Sequence, residues 1–197
     1  MVLADGPEPV IHVVVERRLR RLAVYGPDGH LWHLADASGE ARGTGSRPPY
    51  GPGYPIAPGH YRLLGQIEHD PATAEEGPGA IDVGDLDQTT LRRLVDAGRA
   101  RTRGESIEIA SLLGRAGGLA QYGRTGIVIH GGAGAANLAA ADDDPLAPYQ
   151  RLTRSDGGIR LHNADLARLL IILMPAFAEK STIVLSVLGD PPRAFPS

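Results

Sequence analysis

Hydrophobic positions along this chain come in short β-branched runs separated by glycine and proline, with two longer stretches at helical spacing. Val10 to Glu16, Leu19 to Tyr25 and His30 to Ala37 read as three strands. The sequence Gly26-Pro27-Asp28-Gly29 is a strong turn signal between the last two, so the chain is expected to open with an antiparallel meander. Tyr61 to Ile67, Gly126 to His130 and Thr182 to Leu188 read as further strands. Asp87 to Ala97 reads as a helix: Asp87 is placed as N-cap, Leu91, Leu94 and Val95 share a face, and Gly98 follows as a stop. Asn163 to Met174 reads as a second helix. Leu166, Leu169, Leu170 and Leu173 form its apolar face, and Pro175 is expected to end it by removing a donor.

Between these elements lie segments rich in glycine, proline and polar residues. Residues 1–9 and 189–197 read as tails, and 10–188 as one domain with loop insertions near 39–60, 69–122 and 133–150. No internal repeat and no boundary between two cores is visible.

Composition supports this picture. With 42% hydrophobic residues, 5% aromatic, 26 glycines and 16 prolines, the chain suits a turn-rich, mostly β fold with a core of Leu, Val, Ile and Ala. The net charge of −3 is evenly mixed, which argues against nucleic acid or an anionic membrane as partner. The cluster Arg17, Arg18, Arg20 and Arg21 is read as an exposed strand face or turn, because no aromatic residues interleave to stack bases. The most apolar run, LARLLIILM, is too short to span a bilayer and carries Arg168. The N-terminal sequence lacks the basic region and apolar length of a signal peptide, so the chain is expected to be made as a cytoplasmic protein.

The chemistry concentrates late in the chain. Zero cysteines remove disulfides, thiolate metal sites and any cysteine nucleophile. Three blocks, in order, are similar to motifs of the L,D-transpeptidase (YkuD-like) family. Ala37-Ser38-Gly39 with PYGPGYPIAPGHYRLLG resembles the family's S-T-G and T-P-x-G-x-[FY]-x-I segments. GIVIHGG resembles its I-x-I-H-G-T strand end. SDGGIRLHNADLARL, from Ser155, resembles its S-H-G-C-I-R-hydrophobic-x-N-x-D loop and following helix, with Ser155, Gly157, Ile159, Arg160, Asn163 and Asp165 on matching positions.

The resemblance implies a mostly β, α+β fold: a β-sandwich or mixed sheet with a few packed helices. In the family a cysteine attacks the acyl carbon of a peptidoglycan stem peptide, a histidine two residues earlier is its base, and a second histidine surrounds the oxyanion with backbone N–H groups. Here the nucleophile position is Gly158 and the base position Asp156, while the second histidine is His130. A glycine supplies no nucleophile, so the family's reaction is not expected. His130, Arg160 and Asn163 are the implied ligand-binding residues, with Arg160 suited to pair a substrate carboxylate in bidentate fashion. The alternative for Arg160 is a structural ion pair with Asp156.

Three readings stay open at this stage. The first is a catalytically inactive domain that binds peptidoglycan stem peptides or serves as a structural part. The second is an enzyme with altered chemistry, built on Ser155, Asp156 and His130 with His162 nearby. The third follows from the missing export signal: a component of a phage-tail-like injection particle, partnered by other proteins of a large assembly. Neither a cofactor nor a metal is expected. His130, His162, Asp156 and the run Asp142 to Asp144 offer ligands but no metal-binding spacing.

Overall fold

A computed structural model of the chain describes residues 10–39, 55–67, 80–86, 89–90, 127–132, 147–152, 155 and 157–189. Eight strands and one long helix appear among them: β1 (Ile11–Glu16), β2 (Arg21–Tyr25), β3 (Leu31–Ser38), β4 (Gly59–Ile67), β5 (Ala80–Asp85), β6 (Ile127–His130), β7 (Ile159–Leu161), α1 (Asn163–Ala178) and β8 (Ile183–Leu188). The fold is mostly β with a packed helix, as the sequence led us to expect. The sheet is mixed, and it closes into a barrel in the order β1-β2-β3-β7-β6-β5-β4-β8.

The opening meander forms as its turn residues dictate. Gly29 takes a left-handed φ of 84°, and Gly26 N–H donates to the His30 carbonyl at 2.9 Å. The Asp28 carboxylate accepts from His30 N–H at 3.0 Å, an Asx-type closure. Gly26 also answers a packing demand, since a Cβ there would fall inside the Trp32 indole. At the other end of the meander Arg17 to Arg20 form the β1–β2 turn, with Arg20 at a φ of 54°; Arg18, Arg20 and Arg21 are exposed.

Two parallel pairings make the sheet mixed. β1 runs parallel to β8, with Ile11 opposite Ile183, and β6 runs parallel to β7, with His130 opposite Arg160. Successive strand side chains point to opposite faces. One set gathers in a single core: Val13 and Val15, Leu22 and Val24, Tyr61 and Leu63, Ile81 and Val83, Ile127 and Ile129, Ile159 and Leu161, Leu185 and Val187. α1 lays Leu166, Leu169, Leu173 and Ala176 on the same cluster.

Three differences from the sequence reading have physical causes. β5 and β7 fall where loops were expected. β5 holds its place by pairing with β4 and β6 rather than through a long apolar run, and β7 is only three residues long. A bulge between Leu63 and Gly65 leaves Leu64 unpaired and 53% exposed, folded over Gly84. Pro175 lies inside α1 and does not end it. The carbonyl it leaves without its helical partner is that of Ile171, a solvent-facing residue, so water can serve it. The expected 87–97 helix lies mostly outside the described residues; Thr89 and Thr90 are helical.

Candidate functional site

Two of the residues singled out by the sequence, His130 and Arg160, lie side by side on the sheet face turned away from the core. Arg160 lies opposite Ser38 of β3 on one side and opposite His130 of β6 on the other, and His130 lies opposite Ala80 of β5. Ser38, Arg160 and His130 therefore form one polar row across three strands. All three are buried, and Arg160, at 1% exposure, is the largest fully buried side chain among the described residues. The Ser38 hydroxyl is buried with no hydrogen-bond partner among the described residues.

His130 has a fixed orientation. Its Nδ1 lies 2.8 Å from the Gly131 carbonyl oxygen, and a carbonyl only accepts, so the proton sits on Nδ1. In the neutral ring Nε2 is then the acceptor, and Nε2 is the nitrogen near Gly158. A Cβ built on Gly158 would lie 3.5 Å from it and 3.3 Å from Cδ2 of the same ring. That Cβ would also lie 2.7 Å from the Val128 carbonyl oxygen. The position matching the family's nucleophile is thus closed by backbone as well as lacking a side chain.

Ser155 is committed to the loop. Its hydroxyl donates to the Gly158 carbonyl at 2.8 Å and accepts from Gly157 N–H at 3.2 Å. Gly157 takes a φ of 109°, which a residue with a Cβ rarely adopts. To attack an acyl carbon, Ser155 would first have to give up the bond its proton makes.

Asn163 is held in a hydrogen-bond network at the start of α1. Its Oδ1 accepts from Gly132 N–H at 2.8 Å and from Gln150 Nε2 at 3.2 Å, and its Nδ2 donates to the Ala147 carbonyl at 2.8 Å. Gln150 Oε1 in turn accepts from Asn163 N–H, and the Pro148 carbonyl accepts from Ala164 N–H. These bonds serve the first-turn donors of α1, where the N-cap His162 offers no side-chain cap. Gln150 carried no motif signal, so nothing in the sequence marked it. A Cβ on Gly131 would fall on Asn163 Oδ1, and Gly132 takes a left-handed φ of 74°, which together account for the paired glycines after His130.

His162 stands apart from the polar row. Its ring meets Tyr149 edge-on at 5.4 Å between centroids, and its Nδ1 is buried with no hydrogen-bond partner among the described residues. Asp156 and the Asp142 to Asp144 run lie outside the described residues. Among the described residues no group of three His, Asp or Glu side chains could hold a metal ion, and no helix is long and apolar enough to cross a membrane.

The chain therefore presents a mixed, mostly β barrel with a helix on its core and a buried polar row on the opposite face. No family model matches it, and no curated protein is similar enough in sequence to match. Among solved structures it is similar to a point variant of the helical cell shape determining protein Pgp2 from Campylobacter jejuni. The TM-score is 0.51 and the identity 16%, over 94% of this chain and 49% of that one. It also aligns with Bd1075 of Bdellovibrio bacteriovorus (TM-score 0.46, 14% identity, 92% of this chain and 49% of that one). L,D-transpeptidase 1 of Mycobacterium tuberculosis aligns at a TM-score of 0.37 and 12% identity, over 92% of this chain and 63% of that one. The chain spans about half the length of the Pgp2 structure, and that likeness shows a shared fold alone.

Proposed function

We propose that this chain is a catalytically inactive L,D-transpeptidase-like domain that binds a carboxylate-bearing peptide, with the peptidoglycan stem peptide as the first candidate. The observation that carries the inactive half is the geometry at Gly158: no nucleophile is present, and a Cβ there would sit 2.7 Å from the Val128 carbonyl. The Ser155 hydroxyl, three residues away in the chain, is engaged at its proton and one of its lone pairs. The binding half is supported by the row Ser38, Arg160 and His130. It joins a cation that pairs carboxylates, an imidazole and a hydroxyl without a partner among the described residues.

Two measurements test the reading. Purified protein incubated with stem peptides should release or transfer no acyl group above the buffer rate; turnover above that rate would refute inactivity. Sedimentation with purified peptidoglycan should retain the wild type. Arg160→Lys keeps the charge and loses the fork, and should lower retention about tenfold with the fold checked by circular dichroism. Equal retention of wild type, Arg160→Lys and His130→Ala would remove the polar row as the binding face.

A further inference from the structure

The helix α1 is apolar on two sides. Its inward stripe lies on the core, yet Ala167, Ile171, Met174 and Ala178 recur at four-, three- and four-residue spacing on the outward side. All four are exposed, Ile171 at 73% and Met174 at 46%, and the Pro175 ring is exposed beside them. A single exposed apolar residue is ordinary, but a stripe along about three turns of a helix is the pattern of a contact surface. We infer that this stripe is a self-association surface, on which two copies of the chain pair their α1 helices antiparallel about a two-fold axis.

The order of residues selects a second copy as the occupant. Read along the helix, the stripe runs small, large, large, small. In an antiparallel pair centred between Ile171 and Met174, each Ile171 meets Met174 of the partner subunit, and each Ala167 meets Ala178 of the partner subunit. The small ends let the helix backbones approach over a length of about 18 Å. A surface complementary to itself is what a two-fold interface requires.

Charge gives the same register. Exposed Arg168, near the start of α1, and exposed Glu179, at its C-cap, lie on the same flank of the stripe. The antiparallel arrangement brings like flanks together and places each Arg168 within a turn of Glu179 of the partner subunit, twice by symmetry. Parallel pairing about a two-fold axis would bring unlike flanks together and hold Arg168 far from Glu179 of the partner subunit. On the other flank Leu170 and Phe177 pack partly against the core, so the apolar edges meet there. One helix pair buries less than a standard interface, which sets the expected dissociation constant on the order of 10 to 100 µM.

Sedimentation velocity of the full chain, from low micromolar to about 0.5 mM, tests this directly. The wild type should shift from monomer to dimer across that range. Ile171→Glu changes a solvent-facing side chain, so it should leave the melting temperature unchanged and keep the chain monomeric throughout. Arg168→Glu should weaken the dimer about tenfold, and Arg168→Glu with Glu179→Arg should restore it. A wild type that stays monomeric, or a dimer that survives Ile171→Glu, would overturn the proposal. So would a single charge reversal without effect, or a double reversal no better than the single one.

Discussion

Gly158 and Gly131 are two positions where one carbon decides the local structure. At Gly158 the obstacle is the Val128 carbonyl, which belongs to a paired strand and cannot swing away as a side chain would. Gly158→Ala should therefore cost about 1–3 kcal/mol in chemical denaturation, and Gly158→Cys at least as much. At Gly131 the obstacle is the amide of Asn163. Gly131→Ala should displace it and strand the Gly132 N–H, costing about 1–3 kcal/mol. Asn163→Ala and Gln150→Ala share these partners, so a double-mutant cycle should return a coupling of about 0.5–3 kcal/mol where two independent sites would give none.

At the scale of elements, α1 shows how a helix ends without its usual residues. Lys180 N–H donates to the Phe177 carbonyl and Ser181 N–H to the Ala176 carbonyl, the two bonds of a Schellman motif. The position that needs a left-handed backbone is Lys180, at a φ of 56°, where glycine is the usual occupant. Lys180→Gly should raise stability by about 1 kcal/mol, measurable as a higher midpoint in urea. That ending was not legible in the sequence, where Pro175 is the conspicuous stop signal and Lys180 carries none. Among the strands that were legible, Ile11–Glu16 and Ile183–Leu188 stand out because their β-branched runs are buried on both faces. Ala80–Asp85 and Ile159–Leu161 were hidden because their pairing partners, distant in sequence, make them strands. The candidate site was legible in part for the same reason. Motif spacing found His130, Ser155, Gly158, Arg160 and Asn163, while Ser38 as a member of the row and Gln150 as the brace of Asn163 depend on strand register and a return of the chain.

For the molecule as a whole, β8 is the central piece. It pairs with β1 on one side and β4 on the other, and five of its six residues are buried. Its outward side chains are not wasted: Ser186 Oγ lies 2.8 Å from His60 Nδ1 across the β4–β8 pair, a buried cross-strand polar contact. Leu185→Ala should cost about 2–5 kcal/mol, whereas Leu34→Ala, on the exposed side of β3, should fall within about 0.5 kcal/mol of wild type. Native-state hydrogen exchange should find the slowest amides in β8 and β1.

The parallel contact between β1 and β8 also governs time. Its two strands are about 170 residues apart along the chain, so on a ribosome the first strand emerges long before its neighbour exists. Until then the β1-β2-β3 meander carries an open edge of unpaired N–H and carbonyl groups, the kind of edge that invites mispairing with other nascent chains. The barrel is therefore expected to form late, after synthesis has passed the final strand, with the seam between first and last as its slow step.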